Sequence, residues 1–456
     1  MSLKSHRTRL LDLFETPGDD LVYLQGASVL HRHGTDYEYP FRQESNFLYL
    51  TGVDEPDFSM ILDLESGEYH LFAPWRPPRY AVWNGHITPP EILQERYAPD
   101  HLHVGGSLAE WIHHRSPGAI YCLNEDQSRQ LSQLLAKEGV PRPLIETSAL
   151  SNALAWCRVI KDEQELEWCR TAARINNQAH LEVLRALRPG MHEFECKAVF
   201  EYHQVRHGLV QDAYNGIHAS GPNSAVLHYT RTDRKMEAGD LYLIDAGHEA
   251  NGYASDITRT WPVSGTYTPV QRMLYSIVLH AQNRAIEMVR PGIRMEELHL
   301  AAAKTITAGL VDAGWLNGRV EDLMENEIHT LFFPHGLGHF LGLDTHDVGG
   351  VRKGEVIPDR PGLKTLRVRR ELEPGMILTV EPGLYLIPAL LEPAFEDSEK
   401  SHWLNRKKIE PHLQTGGIRI EDNLVVTKEG AENLTTVPKD VDEIESFSRE
   451  ANSTGT

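Results

Sequence analysis

The segment FFPHGLGHFLGLDTHDVGG, residues 332–350, contains three histidines, His335, His339 and His346. The spacing of the first two would place both on one face of a helix, but the two glycines between them each cost about 1 kcal/mol in a helix interior. In an extended conformation the same two histidines share one face, and the glycines leave the other face open to a second backbone or a ligand. We therefore predict an extended segment, and a glycine-rich loop with incidental histidines is the alternative.

Two aspartates flank a predicted hairpin in the segment LYLIDAGHEANGYASDITRTW, which begins at Leu241. The Asn-Gly dipeptide at its centre is a strong signal for a two-residue turn. With that turn as the loop, Asp245 faces Thr258, and Asp256 is a diagonal neighbour on the same face. Both carboxylates are then within reach of one ion. The alternative is a pair of solvated acidic residues at a sheet edge.

Two glutamates end apolar β-like runs further along the chain. Glu381 follows MILTV and precedes a Pro-Gly turn, and Glu421 follows GGIRI. In the second run Arg419 shares the face of Glu421, and we predict that Arg419 orients it from outside the ligand set. An ordinary salt bridge at the end of a strand is the commoner meaning of such a pair.

Together these segments offer four carboxylates and one histidine on β segments. Their negative charge would balance two divalent cations, and carboxylates with one imidazole suit Mn²⁺, with Zn²⁺, Co²⁺ and Fe²⁺ as alternatives. Two such ions about 3.5–4 Å apart can activate a water for attack. The sequence therefore indicates a metal-dependent hydrolase.

Composition limits the remaining function classes. The chain has 456 residues, a formal net charge of −20 and four cysteines. That charge argues against nucleic acid or an anionic membrane as a partner. The scattered cysteines are typical of reduced thiols in a cytosolic protein. No apolar run approaches the roughly 20 residues that cross a membrane, and no signal peptide is evident, so we expect a cytoplasmic protein.

The pattern of predicted elements changes near residue 158. We predict an α/β domain at residues 1–158 and an α+β domain at residues 159–456, with a frayed tail from Ser448. The clearest predicted elements are strands at 20–26, 59–64, 69–74 and 119–124, a helix at 107–115 capped by Ser107, and helices at 161–187 and 193–207.

In this order, the segments resemble the metal-dependent peptidases of the pita-bread fold, which include methionine aminopeptidase, aminopeptidase P and prolidase. The chain is most similar to the prolidase family, over nearly its whole length. The motifs that carry this resemblance are FRQESNFLYLTGVDEP (41–56), SAVLHYT (224–230), the histidine segment, PGLKTLRVRRELEPGMILTVEPGLY (361–385), and an insertion at 388–413 like that of eukaryotic-type prolidases. Aminopeptidase P shares several of these motifs.

The resemblance implies a role for each matching residue. The implied metal ligands are Asp245, Asp256, His339, Glu381 and Glu421, so that His339 rather than His335 binds metal. Glu381 would also relay protons, and the residues implied to hold substrate or stabilise the tetrahedral intermediate are His228, His335, His346, Arg367, Tyr214 and Trp83. Within that set Arg367 would bind the carboxylate of a C-terminal proline, and Trp83 would cap an active site, either that of its own subunit or that of a partner subunit.

We therefore predict a homodimeric, cytoplasmic Xaa-Pro dipeptidase with two divalent ions per subunit that acts on small peptides. Aminopeptidase P activity on longer peptides is the nearest alternative, and organophosphate hydrolysis is a second. A catalytically inactive binding protein of the same fold is a third alternative. It is disfavoured because such proteins typically lack the ligands, which are all present here.

Overall fold

The chain folds as two units, Met1–Arg158 and Val159–Thr456. The computed structural model describes residues 3–14, 18–352 and 354–454. Among these residues, no helix combines the length and apolar character needed to cross a bilayer.

The first unit is built on a six-stranded mixed sheet with strand order β4-β3-β2-β1-β5-β6. Its strands are β1 (Leu21–Gln25), β2 (Ser59–Asp63), β3 (Tyr69–Ala73), β4 (His101–Val104), β5 (Ala119–Cys122) and β6 (Leu144–Glu146). Its helices are α1 (Leu3–Leu11), α2 (Ser45–Thr51), α3 (Tyr80–Asn84), α4 (Pro90–Tyr97), α5 (Leu108–Arg115), α6 (Glu125–Lys137) and α7 (Leu150–Val159).

The predicted strands and the predicted helix cap of the first unit are present in the structure. Strands β1, β2 and β3 are almost wholly buried, in keeping with their apolar runs. The Ser107 hydroxyl accepts a hydrogen bond from the Glu110 amide at 3.1 Å, which confirms the predicted cap of α5.

The second unit contains four small sheets and nine α-helices among the described residues. The strands are β7 (Ile217–Ser220), β8 (Leu241–Ala246), β9 (Glu249–Ala250), β10 (Tyr253–Ala254), β11 (Ile257–Pro262), β12 (Ile377–Val380), β13 (Gly383–Tyr385), β14 (Gly417–Arg419), β15 (Asp422–Val426) and β16 (Ala431–Asn433). The helices are α8 (Glu163–Ala186), α9 (Glu193–Arg206), α10 (Pro269–Met288), α11 (Met295–Asp312), α12 (Val320–Glu325), α13 (Pro361–Lys364), α14 (Pro388–Glu396), α15 (Arg406–Ile409) and α16 (Val441–Thr454).

The end of the chain departs from the prediction. Helix α16 ends at Thr454 and so includes residues 448–454 of the tail that we expected to be frayed, while residues 455–456 lie outside the described residues. Its residues Val441 and Ile444 are buried in the main core of the second unit. This packing stabilises the helix, which its mostly polar sequence did not lead us to predict.

The predicted hairpin register is confirmed. Asn251 and Gly252 have φ values of 51° and 83°, the left-handed conformation that a type I′ turn requires. Asp245 pairs with Thr258 across β8 and β11, as the turn position predicted.

The prediction of an extended conformation is confirmed for residues 337–341 of the histidine segment, which run beside β12, whereas most of residues 342–350 form bends. The Glu381 amide donates to the Leu337 carbonyl at 2.8 Å, and the Thr379 amide donates to the His339 carbonyl at 2.9 Å. A Cβ atom at Gly338 would overlap the carbonyl oxygen of Thr379. Glycine is therefore needed at this position because a second backbone approaches there, which is the reason that the sequence suggested.

A buried ion pair joins two of these sheets. Arg259 of β11 donates to Asp422 of β15 at 2.8 Å, and both side chains are fully buried. Arg259 also donates to the Glu421 carbonyl at 2.8 Å, so this pair fixes the position of the segment that carries Glu421. Replacing one member of such a pair would leave a buried charge without its partner, and the pair is therefore a strong constraint on the register of these strands.

Candidate active site

A cavity of about 550 Å³ opens in the second unit. It brings together every predicted site residue of that unit. These are Tyr214, His228, Asp245, Asp256, His335, His339, His346, Arg367, Glu381, Arg419 and Glu421.

Three carboxylates surround one nitrogen of His339. The Nε2 atom lies 3.3 Å from Asp256, 3.6 Å from Glu381 and 4.0 Å from Glu421. The other ring nitrogen, Nδ1, is 2.9 Å from the carbonyl of Phe340, which can only accept a hydrogen bond. Nδ1 therefore carries the proton in the neutral ring, and the lone pair of Nε2 faces the carboxylates, the tautomer that a metal ligand needs.

Asp245 is connected to this group through Tyr214. The Tyr214 hydroxyl lies 2.7 Å from Oδ1 of Asp245 and 2.6 Å from Oδ1 of Asp256. One hydroxyl proton can satisfy one carboxylate at a time, so the other oxygen is left for a cation or a proton. Tyr214 thus lies at the carboxylate cluster instead of packing as an ordinary core aromatic residue.

Arg419 does not pair with Glu421, and our expectation on this point was wrong. Its Nη2 atom donates to Oδ2 of Asp245 at 2.6 Å, and Nη1 donates to the Tyr385 hydroxyl at 2.8 Å. The Nε atom contacts Thr258, whose own hydroxyl donates to Glu421 at 2.6 Å. Strand β14 ends at Arg419, and its side chain crosses to Asp245 on β8 while Glu421 pairs with Thr258 on β11.

Glu421 shows that the cluster suits a cation. Its Oε2 accepts the Thr258 hydrogen bond, whereas Oε1 is buried without a hydrogen-bond partner among the described residues. A buried, unpartnered carboxylate oxygen is costly, and it faces the His339 nitrogen. A divalent ion held by these oxygens and this nitrogen would satisfy it, so the residues present fit the metal centre that the resemblance implies.

The electrostatics of the cluster lead to the same conclusion. Burial and the neighbouring charges of Asp256, Glu381 and Asp245 raise the pKa of Glu421 well above its ordinary value. Burial, opposed by His339 and Arg419, raises the pKa of Glu381 to about 7. Burial disfavours the charged imidazole of His339, but Asp256 outweighs it and raises that pKa. The cluster attracts positive charge.

Burial also raises the pKa of Asp245, although Arg419 opposes the shift. For Asp256 burial acts in the same direction, but the hydrogen bond and charge of His339 outweigh it and lower the pKa. The two aspartates that share Tyr214 therefore ionise differently. The reason is that each aspartate has a different neighbour besides Tyr214, Arg419 for Asp245 and His339 for Asp256.

Two further histidines border the cluster. His335 donates from Nδ1 to the Gly336 carbonyl at 2.8 Å, and its Nε2 lies 2.9 Å from the Tyr385 hydroxyl. Burial lowers the pKa of His335 to about 3. The ring of His346 lies 4.4 Å from that of His339, and burial lowers its pKa to about 4. Both rings are therefore neutral at pH 7, and His346 can donate one hydrogen bond into the cavity.

Trp83 lies on α3 of the first unit, with its side chain 84% exposed. Its role as a cap over an active site stays a prediction.

Three polar residues that support the site escaped the sequence analysis as functional residues. Thr258 holds Glu421, Tyr385 links His335 to Arg419, and the Asn423 side chain accepts a hydrogen bond from the Asp256 amide at 3.0 Å. Asn423 and Thr258 each lie two positions after a predicted ligand, Glu421 and Asp256, and strand periodicity would place them on the same face, a signal that could have been followed. Tyr385 gave no such signal, because its contacts depend on the pairing of β13 with β14.

Comparisons with known proteins agree with this geometry. Residues 167–428 match the model of the Metallopeptidase family M24, and residues 3–119 match the Aminopeptidase P, N-terminal domain. The chain is 37% identical to the human Xaa-Pro dipeptidase over 93% of this chain and 88% of the relative. It is 35% identical to the "Probable Xaa-Pro aminopeptidase PEPP" of Coccidioides posadasii over 97% of this chain and 96% of the relative.

Solved structures extend the comparison. The structure of Pseudomonas aeruginosa aminopeptidase PepP superposes with a TM-score of 0.85 at 34% identity, covering 99% of this chain and 98% of that one.

Proposed function

This chain belongs to metallopeptidase family M24, and on that premise we propose that it hydrolyses Xaa-Pro dipeptides and releases the C-terminal proline. The observation that carries the proposal is the cavity of the second unit, which joins the carboxylate and histidine cluster to Arg367. A cation site beside an arginine suits a substrate whose scissile carbonyl lies close to a free carboxylate.

The proposed ligands are Asp245, Asp256, His339, Glu381 and Glu421. Two divalent ions bound there, Mn²⁺ in our proposal, would polarise the carbonyl and lower the pKa of a water to about 7. Arg419 and Thr258 hold the carboxylates of Asp245 and Glu421 in place, as their short hydrogen bonds indicate.

Glu381 is the proposed proton carrier. Glu381 directly follows the end of β12, and its carboxyl lies beside His339. In the metal-free cluster burial raises its pKa to about 7. Bound cations would lower that value and favour the carboxylate that accepts a proton. Returning this proton to the proline nitrogen would complete cleavage of the bond.

The remaining cavity residues would position the peptide. His228 and His346 line the wall of the cavity and would hydrogen-bond to the peptide, and Arg367 would pair with the carboxylate of proline. An Xaa-Pro bond has no N–H, so a peptidase that must hydrogen-bond to the N–H of the scissile bond cannot bind this substrate. Recognition through the carboxylate and the carbonyl avoids that requirement.

Cleavage of longer peptides after Xaa-Pro is a second candidate function. The similarity to the Coccidioides posadasii relative, which spans nearly the full length of both chains, favours it. In that case the cavity beyond Arg367 would have to accept a further residue, and Arg367 would not meet a proline carboxylate.

Hydrolysis of Ala-Pro and Ala-Pro-Ala by metal-stripped protein, with and without Mn²⁺, tests the proposal. We expect proline release from the dipeptide alone, and only with metal. Comparable cleavage of the tripeptide would favour the second candidate. Failure to cleave either peptide, with metal shown to be bound, would refute both.

We further propose that the protein is a cytoplasmic homodimer. The exposed Val82 and Trp83 of α3, 74% and 84% exposed, offer an apolar surface for a second copy. The four cysteines are buried and none of them forms a disulfide, in keeping with a reducing compartment. Light scattering on the purified protein would test the dimer, which a mass of one chain would refute.

A further inference from the structure

Four potential metal ligands lie on one face of the sheet in the first unit. Strand β4 is an edge strand and pairs in parallel with β3, so that His70 lies opposite His101 and Phe72 lies opposite His103. Residues two apart on a strand share a face, and Glu68 lies two positions before His70. One glutamate and three histidines are therefore neighbours at this edge.

Three of their donor atoms converge. Oε2 of Glu68 lies 3.5 Å from Nε2 of His101 and 3.8 Å from Nε2 of His70. The donor atoms of these three residues all lie within 4.8 Å of one another. In a tetrahedral zinc site with bonds of about 2.0–2.1 Å, donor atoms are separated by about 3.3 Å, and the two distances from Glu68 to the histidines are close to this value.

His103 fixes the orientation of His70. Its Nε2 lies 3.2 Å from Nδ1 of His70, and its ring stacks on Phe72 with centroids 4.4 Å apart. When Nδ1 of His70 donates to His103, Nε2 of His70 carries the lone pair that faces Glu68. A histidine that ligates metal usually donates its other N–H to such an acceptor.

We propose that Glu68, His70 and His101 form a Zn²⁺ site made wholly of residues of the first unit, with His103 as a positioning residue. Two imidazoles and one carboxylate suit Zn²⁺ better than Mn²⁺, in contrast to the carboxylate-rich cluster of the second unit. Glu68 and His101 are each 49% exposed, so water completes the coordination and the ion exchanges with solvent.

Zinc binding to metal-stripped full-length protein tests this site. With Zn²⁺ alone as the probe, equilibrium dialysis and elemental analysis give the number of ions bound per chain. We expect His101→Gln to bind one ion fewer than the parent protein. The matched control is His114→Gln, which removes an exposed histidine of α5 outside the cluster and should keep the parent number.

The positioning role of His103 has its own variant. His103→Phe retains an aromatic ring against Phe72 but removes the acceptor for His70. We expect the ion of the first unit to remain but to bind about 10–100-fold more weakly. Unchanged affinity would refute the positioning role, and an equal number of ions in His101→Gln and the parent would refute the site.

Two further variants separate zinc binding at this site from binding in the second unit and from the effects of misfolding. The same comparison is made in a Glu421→Gln background, where the loss of one ion on changing His101 should persist. Glu68→Gln changes an exposed side chain, and it should also lose the ion while its thermal unfolding in chelator matches the parent. Retention of the ion by a folded Glu68→Gln protein would refute the proposed ligand set.

Discussion

Arg419 and Asp245 form a buried ion pair within the cavity, with Nη2 of the arginine 2.6 Å from Oδ2 of the aspartate. The two residues are 174 positions apart in the chain. The pair holds one proposed metal ligand in place and supplies the positive charge nearest to it. The interaction therefore links the stability of the metal-free protein to the geometry of its proposed metal centre.

Arg419→Met should strongly destabilise the metal-free protein. Removing one member of a buried pair leaves Asp245 without its partner, which costs about 3–5 kcal/mol. Added divalent cations would replace the lost charge, so the difference from the parent should shrink with metal. Urea unfolding with and without Mn²⁺ measures both effects. Arg406→Met, which breaks pairs at a half-exposed arginine, is the control and should cost below about 1 kcal/mol.

Glu421→Gln should stabilise the metal-free protein and weaken metal binding. Burial, together with Asp256 and Glu381, raises the pKa of Glu421, so ionising it in the folded state is unfavourable near neutral pH. Glutamine still accepts the hydrogen bond of Thr258 and carries no charge. We expect a gain on the order of 1 kcal/mol, about 2–4 °C in Tm, in chelator.

The added stability conferred by Mn²⁺ on the parent should be largely lost in this variant. Thermal unfolding with and without metal measures both effects. An exposed change, Glu392→Gln, should alter neither. A lower Tm for Glu421→Gln in chelator would contradict the electrostatic argument.

Glu381→Gln should reduce kcat for Ala-Pro by about 10²–10⁴-fold at saturating metal, because it removes the proposed proton carrier. Peptide binding, measured by calorimetry, should persist. Retention of parental kcat would exclude the assigned role. Glu392→Gln again serves as the matched control.

Arg367→Leu should raise the KM for Ala-Pro by about 10–150-fold, the value expected when a hydrogen bond to a charged group is lost. The amide Ala-Pro-NH₂ lacks the carboxylate, so its KM should hardly change. A similar rise for the acid and the amide would show that Arg367 acts through the shape of the cavity instead.

The stability of the second unit should fall in acid, in part through His218. Burial lowers the pKa of this residue to about 3, and its Nδ1 lies 2.7 Å from the Tyr242 hydroxyl. In the unfolded chain a histidine titrates near 6.5. Between about pH 6.5 and pH 3 the unfolded state therefore binds more protons, so stability rises with pH and is lost as pH falls.

His218→Asn keeps a polar group near Tyr242 and cannot titrate in this range. Its unfolding free energy should depend less steeply on pH between 6 and 4, by up to about 1.4 kcal/mol per pH unit. Urea titrations at several pH values in chelator measure the slope. His86→Asn, a change at an exposed side chain, is the control. Parallel slopes for the parent and His218→Asn would refute the prediction.

The family and structural matches confirm the predicted fold class, an α/β N-terminal domain followed by an α+β pita-bread domain. Local sequence determined the conformation of individual turns and segments. The Asn-Gly turn fixed the register that pairs Asp245 with Thr258, and the glycines around Leu337 specified an extended segment with room for a second backbone.

Tertiary structure decided how these pieces meet. The run GGIRIE placed Arg419 and Glu421 on one face by strand periodicity, yet the folded chain pairs Arg419 with Asp245 and Glu421 with Thr258. Periodicity specifies a face, but the partner on that face depends on which strands lie beside each other. That choice is made by the packing of segments far apart in the chain, and no local pattern encodes it.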